Sequence, residues 1–583
     1  MSNLMMCAKN CHSCKVALCA KNCPLNMNIP LICDFLKENN LDSASEVLFY
    51  YNPFSYVTSV LCDHEKQCVG NCVFKSLKFN EIEYELSNTY FEKLIDYPSK
   101  LKNLGIAIVG GGIAGLTVAH YLLKQGITST IYEKNILGGI IESAIPTFRF
   151  NNDKFKKHIS KIESLTTVIY EEINEKNTDI LKKYNHIIFS TGALVQNQSL
   201  DSKYLLKGID ILEEAKKGIC EIRDKEICVI GLGNTACDVA RTLVRLNNKV
   251  TIVYRRDIDS SPASISELNS LREEGIDFEF KLSHLEIIKD KKLRLITNIN
   301  ELIQIPGKKR KEIRKTDEIK EITCDYVVDA TGSTVDDSLL KLILEDEYDN
   351  YCSFKKENPN EKFYSGSKVS VCGDGYYGAW NIAQAINSGL NVSKNIFPTY
   401  LFGGSFNPVT KAHGVILNKL SKNSKVIVVP NGDNYSLKDL ASFNDRVEML
   451  KLEIDNNENI FISNLEKVRP FKGTIETLRY YNHPIMVIGD DCLKGLSSWI
   501  NANKLVEENK FLVFSRNHSI EEIHNFIEED ELLNTYKNHF DVVDVLTDEE
   551  KKLSSTDFRI NKNMNNISIK VNEYIKNNKL YEV

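Results

Sequence analysis

Seven cysteines carry the first chemical signal. The chain has 16 cysteines in 583 residues, and nine of them fall within the first 72. Seven form two runs, Cys11-x2-Cys14-x4-Cys19-x3-Cys23-Pro24 and Cys62-x5-Cys68-x3-Cys72. Zinc usually takes four ligands in two pairs. Seven thiols with a proline after the fourth fit two iron–sulfur clusters better, one run lending a cysteine to the other run's cluster. The alternative is a structural zinc knuckle with spare buried thiols. Cys7 and Cys33 fit neither run.

Two glycine turns carry the second signal. Gly110-x-Gly112-x-x-Gly115 follows an apolar stretch at 106–109 and opens an amphipathic stretch at 113–124. The first glycine permits the tight turn. The second lets backbone approach a pyrophosphate, and the third lets helix pack on strand. Glu133 lies about 20 residues on, where an acid can hold a ribose hydroxyl. Gly231-x-Gly233-x-x-Ala236 repeats the pattern between a strand at Glu226–Ile230 and a helix expected at 235–246. The strand after it ends in Arg255-Arg256 instead of an acid. An arginine pair can grip a 2′-phosphate that an acid would repel, so NADPH is expected here in preference to NADH.

A third phosphate-type loop opens after Pro398, in Gly403-Gly404-Ser405-Phe406-Asn407-Pro408-Val409-Thr410-Lys411-Ala412-His413. Small residues admit phosphates to the backbone, and a helix N-terminus follows. Ser554-Ser555-Thr556-Asp557-Phe558-Arg559 lies far downstream and supplies a second hydroxyl-rich stretch with an arginine.

The rest of the chain must position these groups. At this length several domains are expected. Composition is ordinary for a globular protein, with 42% hydrophobic and 26% charged residues. Net charge is −6 and no long basic tract occurs, which argues against a nucleic-acid partner. The N-terminal stretch lacks a positive start followed by an apolar core, so no secretory signal is expected, and no apolar run is long enough for a membrane span. Clustered cysteines without a secretion signal point to metal ligation in a reducing cytoplasm.

With these motifs in view, residues up to about 397 resemble the glutamate synthase small-subunit family. The same N-terminal module opens dihydropyrimidine dehydrogenase and the large subunit of the ferredoxin-dependent NADH:NADP transhydrogenase. The resemblance is carried by CHSCKVALCAKNCPLNMNIP, NPFSYVTSVLCDHEKQCVGNCV and GLGNTACDVARTLVRLNNKVTIVYRRDIDSSPAS. It implies two 4Fe-4S clusters. One would take Cys11, Cys14, Cys19 and Cys72; the other Cys23, Cys62, Cys68 and a later carboxylate or amide, for which Glu85 or Asn88 is on offer. It also implies FAD at Gly110, Gly112, Gly115 and Glu133, beside Gly139 of the Gly-Gly-x-x-x-x-x-Ile-Pro-x-Phe-Arg segment. Asp374 would hold the ribityl chain, with a helix starting near Ala379. Glu267 matches an acidic position of that family with no role assigned. Hydride would pass from NADPH to FAD and single electrons to the clusters, then to an unidentified acceptor protein. No cysteine pair lies near the flavin segments, which disfavours a disulfide reductase.

Residues 399–583 resemble the nucleotidyltransferase superfamily through Thr410-x-x-His413 and the Ser555 to Arg559 stretch. Thr474-x-x-Thr477-Leu478 and Gly489-Asp490-Asp491 with Trp499 resemble the nicotinate or nicotinamide mononucleotide adenylyltransferases. That implies ATP and a pyridine mononucleotide as substrates, Mg²⁺ bridging the phosphates, and nicotinate as the weakly favoured base. His413, Arg559 and Thr410 would act on the phosphates. Gly404, Ser405, Ser555, Thr556, Thr474, Asp491 and Trp499 would hold the two nucleotides.

The expected architecture is multidomain: a helical iron–sulfur domain at 1–100, two Rossmann-like α/β dinucleotide-binding domains in a glutathione-reductase-like arrangement, and a C-terminal Rossmann-like α/β nucleotidyltransferase domain at 399–583. The flavin domain would occupy 101–200 and 341–397, with the nicotinamide domain inserted at 201–340. A rival makes the first half a redox sensor or docking module. A third reading leaves a nucleotide-binding scaffold without catalysis.

Overall fold

The computed structural model describes residues 3–193, 195–196, 200, 202–306, 311–433, 440–455, 457–469 and 471–582. The chain divides into two compact units, Met1–Val392 and Ser393–Val583. Among the described residues no helix is long and apolar enough to cross a membrane.

The first unit begins with helices. Asn28 caps Ile29–Lys37 by accepting the Leu31 N–H at 3.3 Å, and Asn40 caps Leu41–Tyr51 through the Ser43 N–H at 3.1 Å. Phe79–Thr89 buries Phe79, Ile82, Glu83 and Leu86, which lie on one face at helical spacing. Each apolar member of that face contributes about 1.5–3 kcal/mol by leaving water. The first cysteine run precedes Ile29–Lys37, with Cys19 inside the short helix Leu18–Lys21, and the second lies between Ser55–Leu61 and Phe79–Thr89.

A six-stranded sheet follows, in the order 364–365, 369–371, 186–189, 102–109, 127–132, 167–169. Strand Lys102–Val109 pairs in parallel with Ile127–Tyr132 on one side and His186–Phe189 on the other. Its last four residues are fully buried, as a strand covered on both faces requires. The inserted nicotinamide region has its own sheet, ordered 205–207, 326–329, 226–230, 249–254, 277–280. It also carries an antiparallel three-stranded sheet, Leu282–Lys289, Leu293–Ile303 and Glu312–Cys324, which the motif reading does not anticipate.

The flavin-segment helix also differs from expectation. A single turn, Asp374–Tyr377, comes first, and the long helix Ile382–Ile396 starts three residues later than expected. Gly378, at φ 90°, ends the short turn, and Asn381 Oδ1 accepts the Gln384 N–H at 2.8 Å to start the next.

The second unit is a parallel sheet ordered 460–462, 426–430, 400–404, 485–489, 511–514, 540–543. Strand order reverses between Tyr400–Gly404 and Ile485–Gly489, so the crevice at their carboxyl ends is where such sheets bind ligands. The Gly403 to His413 loop starts there.

Candidate functional site: thiol groups and three phosphate-type loops

The thiols fall into two sets. Burial pushes the Cys19 thiol up to about 11, and Cys11, Cys72 and Cys14 add to it as neighbours. Burial holds Cys62 well above the ordinary range, with Glu83, Cys23 and Cys68 as its charged neighbours. Cys68 likewise has Cys23 and Glu83 beside it. The carboxylate in the second set is therefore Glu83, not Glu85 or Asn88. Glu85 is exposed, and Asn88 accepts from Lys154 Nζ. Glu83 is buried on the inner face of Phe79–Thr89, where burial raises it to about 7. Its Oε1 accepts from Thr58 Oγ1 at 2.6 Å and Asn52 Nδ2 at 2.9 Å. Helical phase is the signal that finds it: Glu83 shares the face of Phe79, Ile82 and Leu86, and Glu85 does not. Among the described residues no three ligating side chains converge tightly enough for a single ion. Soft thiol donors, with Cys33 also hydrogen-bonded to Cys11 and the Glu83 carboxylate beside the second set, fit iron–sulfur ligation by the chemistry of the donors.

The first glycine turn is tight on every side. A Cβ on Gly115 would lie 2.1 Å from Gly110 O, and one on Gly110 2.5 Å from Ser190 O. Helix Ile113–Lys124 starts at Gly112 with no side-chain cap, so its first N–H groups stay available for an anion. Gly139 packs against Gly112, where a Cβ would come within 3.0 Å of the Gly112 Cα. Glu133 Oε2 accepts the Gly111 N–H at 2.7 Å and Oε1 the Asn135 N–H at 2.8 Å. Each oxygen keeps a lone pair for a ribose hydroxyl. Asp374 closes the same crevice: a Cβ on Gly373, the residue before it, would stand 2.8 Å from Ala114 Cβ of that helix. The Asp374 carboxyl is pushed up to about 6 by burial, opposed by the Trp380 N–H and the Tyr377 side chain, and among the described residues its Oδ1 has no partner. An unpartnered buried oxygen beside a glycine cradle fits a hydroxyl-bearing dinucleotide such as FAD.

The second turn is built alike. Gly231 would bring a Cβ within 2.6 Å of Ala330 O, and helix Asn234–Arg245 also begins at an uncapped glycine, Gly233. Ala236 is fully buried at the third small position. Asn300 Nδ2 donates to Arg255 O at 2.9 Å, and the Lys281 N–H donates to Arg256 O at 3.1 Å, so the antiparallel sheet clamps the arginine pair. Among the described residues, Arg256 Nε is buried without a partner. An unmatched buried guanidinium nitrogen fits a phosphate. Glu267 acquires a role: it pairs with Arg149 Nε at 3.2 Å and Arg241 Nη1 at 3.0 Å, while Arg149 Nη1 reaches Asp238 Oδ2 at 2.5 Å. This ionic network ties the Ile-Pro-x-Phe-Arg segment to the nicotinamide helix.

The third loop solves its helix N-terminus differently. Thr410 caps Lys411–Leu420, and His413 completes a capping box. The Thr410 N–H donates to His413 Nδ1 at 3.0 Å. Burial, with Arg516 nearby, lowers the imidazole to about 4, so it is neutral. A neutral ring whose Nδ1 accepts must carry its proton on Nε2. The downstream stretch lies against the loop: Ser555 Oγ donates to Pro408 O at 2.7 Å, and Arg559 Nη1 to Asn407 O at 2.5 Å. Arg559 Nη2 also donates to Thr556 Oγ1 at 3.2 Å. Gly404 ends the central strand, and Ser405, the next residue, accepts through its carbonyl from Arg446 Nη1 at 3.0 Å.

Thr474 opens the helix Thr474–Tyr480. The preceding Gly473 packs against Ile500, the neighbour of Trp499. That brings the Thr474 and Trp499 segments together. Trp499 is half-buried, and Asp491 is exposed with Oδ1 accepting the Cys492 N–H at 3.0 Å. Motif reading misses Arg446 and Arg516, and within Gly489-Asp490-Asp491 it assigns the nucleotide to Asp491, whereas Asp490 is the buried acid. The fully buried Arg446 also donates to Asn431 O at 2.7 Å. Asp490 accepts the N–H groups of Arg516, Asn517 and His518 at 3.2, 2.6 and 2.8 Å, and Arg516 Nη2 donates to Leu553 O at 2.5 Å. Arg446, Arg516 and Asp490 act through burial and backbone contacts, and spacing alone does not choose Asp490 over Asp491.

Family comparison agrees with this layout. Residues 2–93 match dihydropyrimidine dehydrogenase domain II, 4Fe-4S cluster; residues 105–374 match pyridine nucleotide-disulphide oxidoreductase; residues 401–561 match cytidylyltransferase-like. The NADPH-Fe(3+) oxidoreductase subunit beta of Geobacter sulfurreducens is 29% identical over 353 residues, 56% of this chain and 52% of that protein. The chain thus spans about half the length of that relative. The glutamate synthase [NADPH] small chain of Escherichia coli is 27% identical over 308 residues, 48% of this chain and 65% of that one. A probable nicotinate-nucleotide adenylyltransferase of Acholeplasma laidlawii is 34% identical over 192 residues, 31% of this chain and 96% of that one. The chain therefore joins a glutamate-synthase-small-chain-like half, of iron–sulfur and pyridine-nucleotide oxidoreductase domains, to a cytidylyltransferase-like domain through which it belongs to the nicotinate-nucleotide adenylyltransferase family.

Proposed function

We propose that the chain is a bifunctional enzyme. Its first half oxidises NADPH and passes electrons to a partner protein. Its second half transfers the adenylyl group of ATP to nicotinate mononucleotide, with nicotinamide mononucleotide as the alternative substrate.

The adenylyltransferase half is carried by one observation, the neutral Nε2-protonated His413 held by Thr410 inside a loop that Ser555 and Arg559 clasp. The mononucleotide phosphate attacks the α-phosphorus of ATP, and pyrophosphate leaves. His413 Nε2–H donates to a phosphate oxygen as charge builds. Arg559 adds positive charge, and the Gly404–Ser405 backbone seats the triphosphate, whose remaining charge Mg²⁺ would offset. Trp499 and Thr474 hold the pyridine mononucleotide, the tryptophan by stacking. The test is pyrophosphate release from ATP plus nicotinate mononucleotide, which His413→Ala should lower about 10²- to 10³-fold; release at an unchanged rate would remove His413 from the mechanism.

The redox half rests on the two uncapped glycine turns with Asp374 Oδ1 and Arg256 Nε unmatched beside them. Bound FAD and iron–sulfur clusters supply hydride acceptance and one-electron conduction. The chain's own residues orient and insulate. Gly110, Gly112, Gly115, Glu133, Gly139 and Asp374 hold FAD. Gly231, Gly233, Ala236, Arg255 and Arg256 hold NADPH. Cys11, Cys14, Cys19 and Cys72 ligate one 4Fe-4S cluster, and Cys23, Cys62, Cys68 and Glu83 ligate the other. NADPH-dependent reduction of menadione by the reconstituted protein tests this half. Absence of turnover with FAD retained would favour a sensor or docking role.

A further inference from the structure

The ligand loops of the first thiol set present an unusual surface. Val16 (62% exposed), Val73 (56%) and Phe74 (52%) lie in the loops that bear Cys14, Cys19 and Cys72, and Leu18 is exposed beside them. The two loops meet. The His12 ring packs on Phe74 with centroids 3.9 Å apart, and Ser76 Oγ donates to Asn10 O at 3.3 Å. Apolar side chains at this exposure, gathered over buried thiols, are not explained by packing within the chain.

Charge sharpens the reading. Residues 7–23 and 69–80 contain no aspartate or glutamate, although the whole chain carries 79 acidic residues against 73 basic ones. The same two stretches carry Lys9, Lys15, Lys21, Lys75 and Lys78, all exposed. Lys78 is engaged by Glu81 at 3.0 Å. Asp34, which accepts from Ser13 Oγ, and Glu81 also border the loops, each paired with a lysine (Lys37 at 3.1 Å, Lys78 at 3.0 Å), so the surface is an apolar centre with a rim of excess basic charge, the anatomy of a transient interface with an acidic protein.

From this geometry we infer that the Cys11–Cys19 and Cys72 loops form the docking surface for a small acidic protein that carries one electron at a time. The inference rests on the oxidoreductase reading above and names the partner class it leaves open. Oxidation of one NADPH releases two electrons and one proton, so two carrier molecules are reduced, one electron each, for every NADP⁺ formed. Val16, Val73 and Phe74 exclude water between the buried thiols and the carrier. The lysines steer approach.

The test uses the full reconstituted chain with NADPH and three acceptors: an acidic ferredoxin, the basic carrier cytochrome c, and menadione, a small neutral quinone. Wild type should reduce ferredoxin in preference to cytochrome c, more slowly as salt rises. The variant carrying Lys15→Glu, Lys21→Glu and Lys75→Glu should lose at least about tenfold in kcat/KM for ferredoxin, with menadione reduction and cluster absorbance unchanged. Phe74→Ser should weaken ferredoxin reduction without altering its salt dependence. Should the triple variant lose cluster absorbance, Lys75→Glu alone and the wild-type salt dependence decide. Equal ferredoxin rates in wild type and variant, or a wild-type preference for cytochrome c, would overturn the docking surface. Failure with menadione as well would overturn the oxidoreductase reading beneath it.

Discussion

The two glycine fingerprints share a turn and differ at the strand end. Both start an uncapped helix at the second glycine, and both pack the first glycine against a neighbouring carbonyl. At the far end Glu133 has both oxygens engaged by backbone N–H groups, whereas Arg256 keeps a buried nitrogen with no partner. On the proposed function the turn seats a pyrophosphate, and the strand end decides what sits on the adenosine ribose. The third phosphate loop shows the opposite solution, since Thr410 and His413 cap its helix before any ligand arrives.

The largest effect should come at the third small residue of each fingerprint. Gly115→Ala places a methyl 2.1 Å from Gly110 O and 2.6 Å from Ser190 Oγ, so the purified variant should lose its flavin absorbance. Ala236→Gly makes the reciprocal change and should cost only about 1 kcal/mol, with nicotinamide binding kept. Equal flavin retention in both variants would break the assignment of roles. His413→Ala should lower adenylyl transfer about 10²- to 10³-fold, read as pyrophosphate release. Arg256→Ala should raise KM for NADPH about 10- to 100-fold and leave NADH unchanged, the expected value of charged hydrogen bonds to a phosphate. Glu133→Gln keeps the shape and should weaken FAD retention by only about 0.5–1.5 kcal/mol, measured as flavin released on dilution.

The smallest effect concerns pH. Burial and Arg516 hold His413 at about 4, so His413 itself should add no titration to adenylyl transfer between about pH 5 and 8, and any slope there should follow the substrate phosphates. Burial also lowers His158 to about 3 and His186 to about 4. These rings are neutral when folded and protonate near 6.5 when unfolded. The unfolded chain thus takes up protons first. Stability should be complete above about pH 6.5 and fall as pH drops toward 4, which thermal unfolding at two pH values will show.

Much of this is legible in the sequence because its signals are local. A glycine turn between an apolar strand and an amphipathic helix needs only consecutive residues, and the cysteine spacings are read directly. The misses are non-local. Glu83 is chosen over Glu85 by which face of a helix is buried, and spacing from a cysteine cannot say that. The buried Arg446, and Asp490 with Arg516, act through carbonyl and N–H groups many residues away. The clamp on Arg255 and Arg256 comes from an antiparallel sheet whose alternation is easily lost among charged residues. The late start of Ile382–Ile396 depends on Gly378 breaking a helix that composition alone would continue.

The central claim is the division of labour between the fingerprints. Its most direct measurement is the absorbance of anaerobically reconstituted protein titrated with NADPH and, separately, NADH, in wild type and Arg256→Ala. The account predicts flavin bleaching by NADPH at far lower concentration than by NADH in wild type, and loss of that preference in the variant. Intact FAD that neither nucleotide bleaches, or a wild-type preference for NADH, would contradict it.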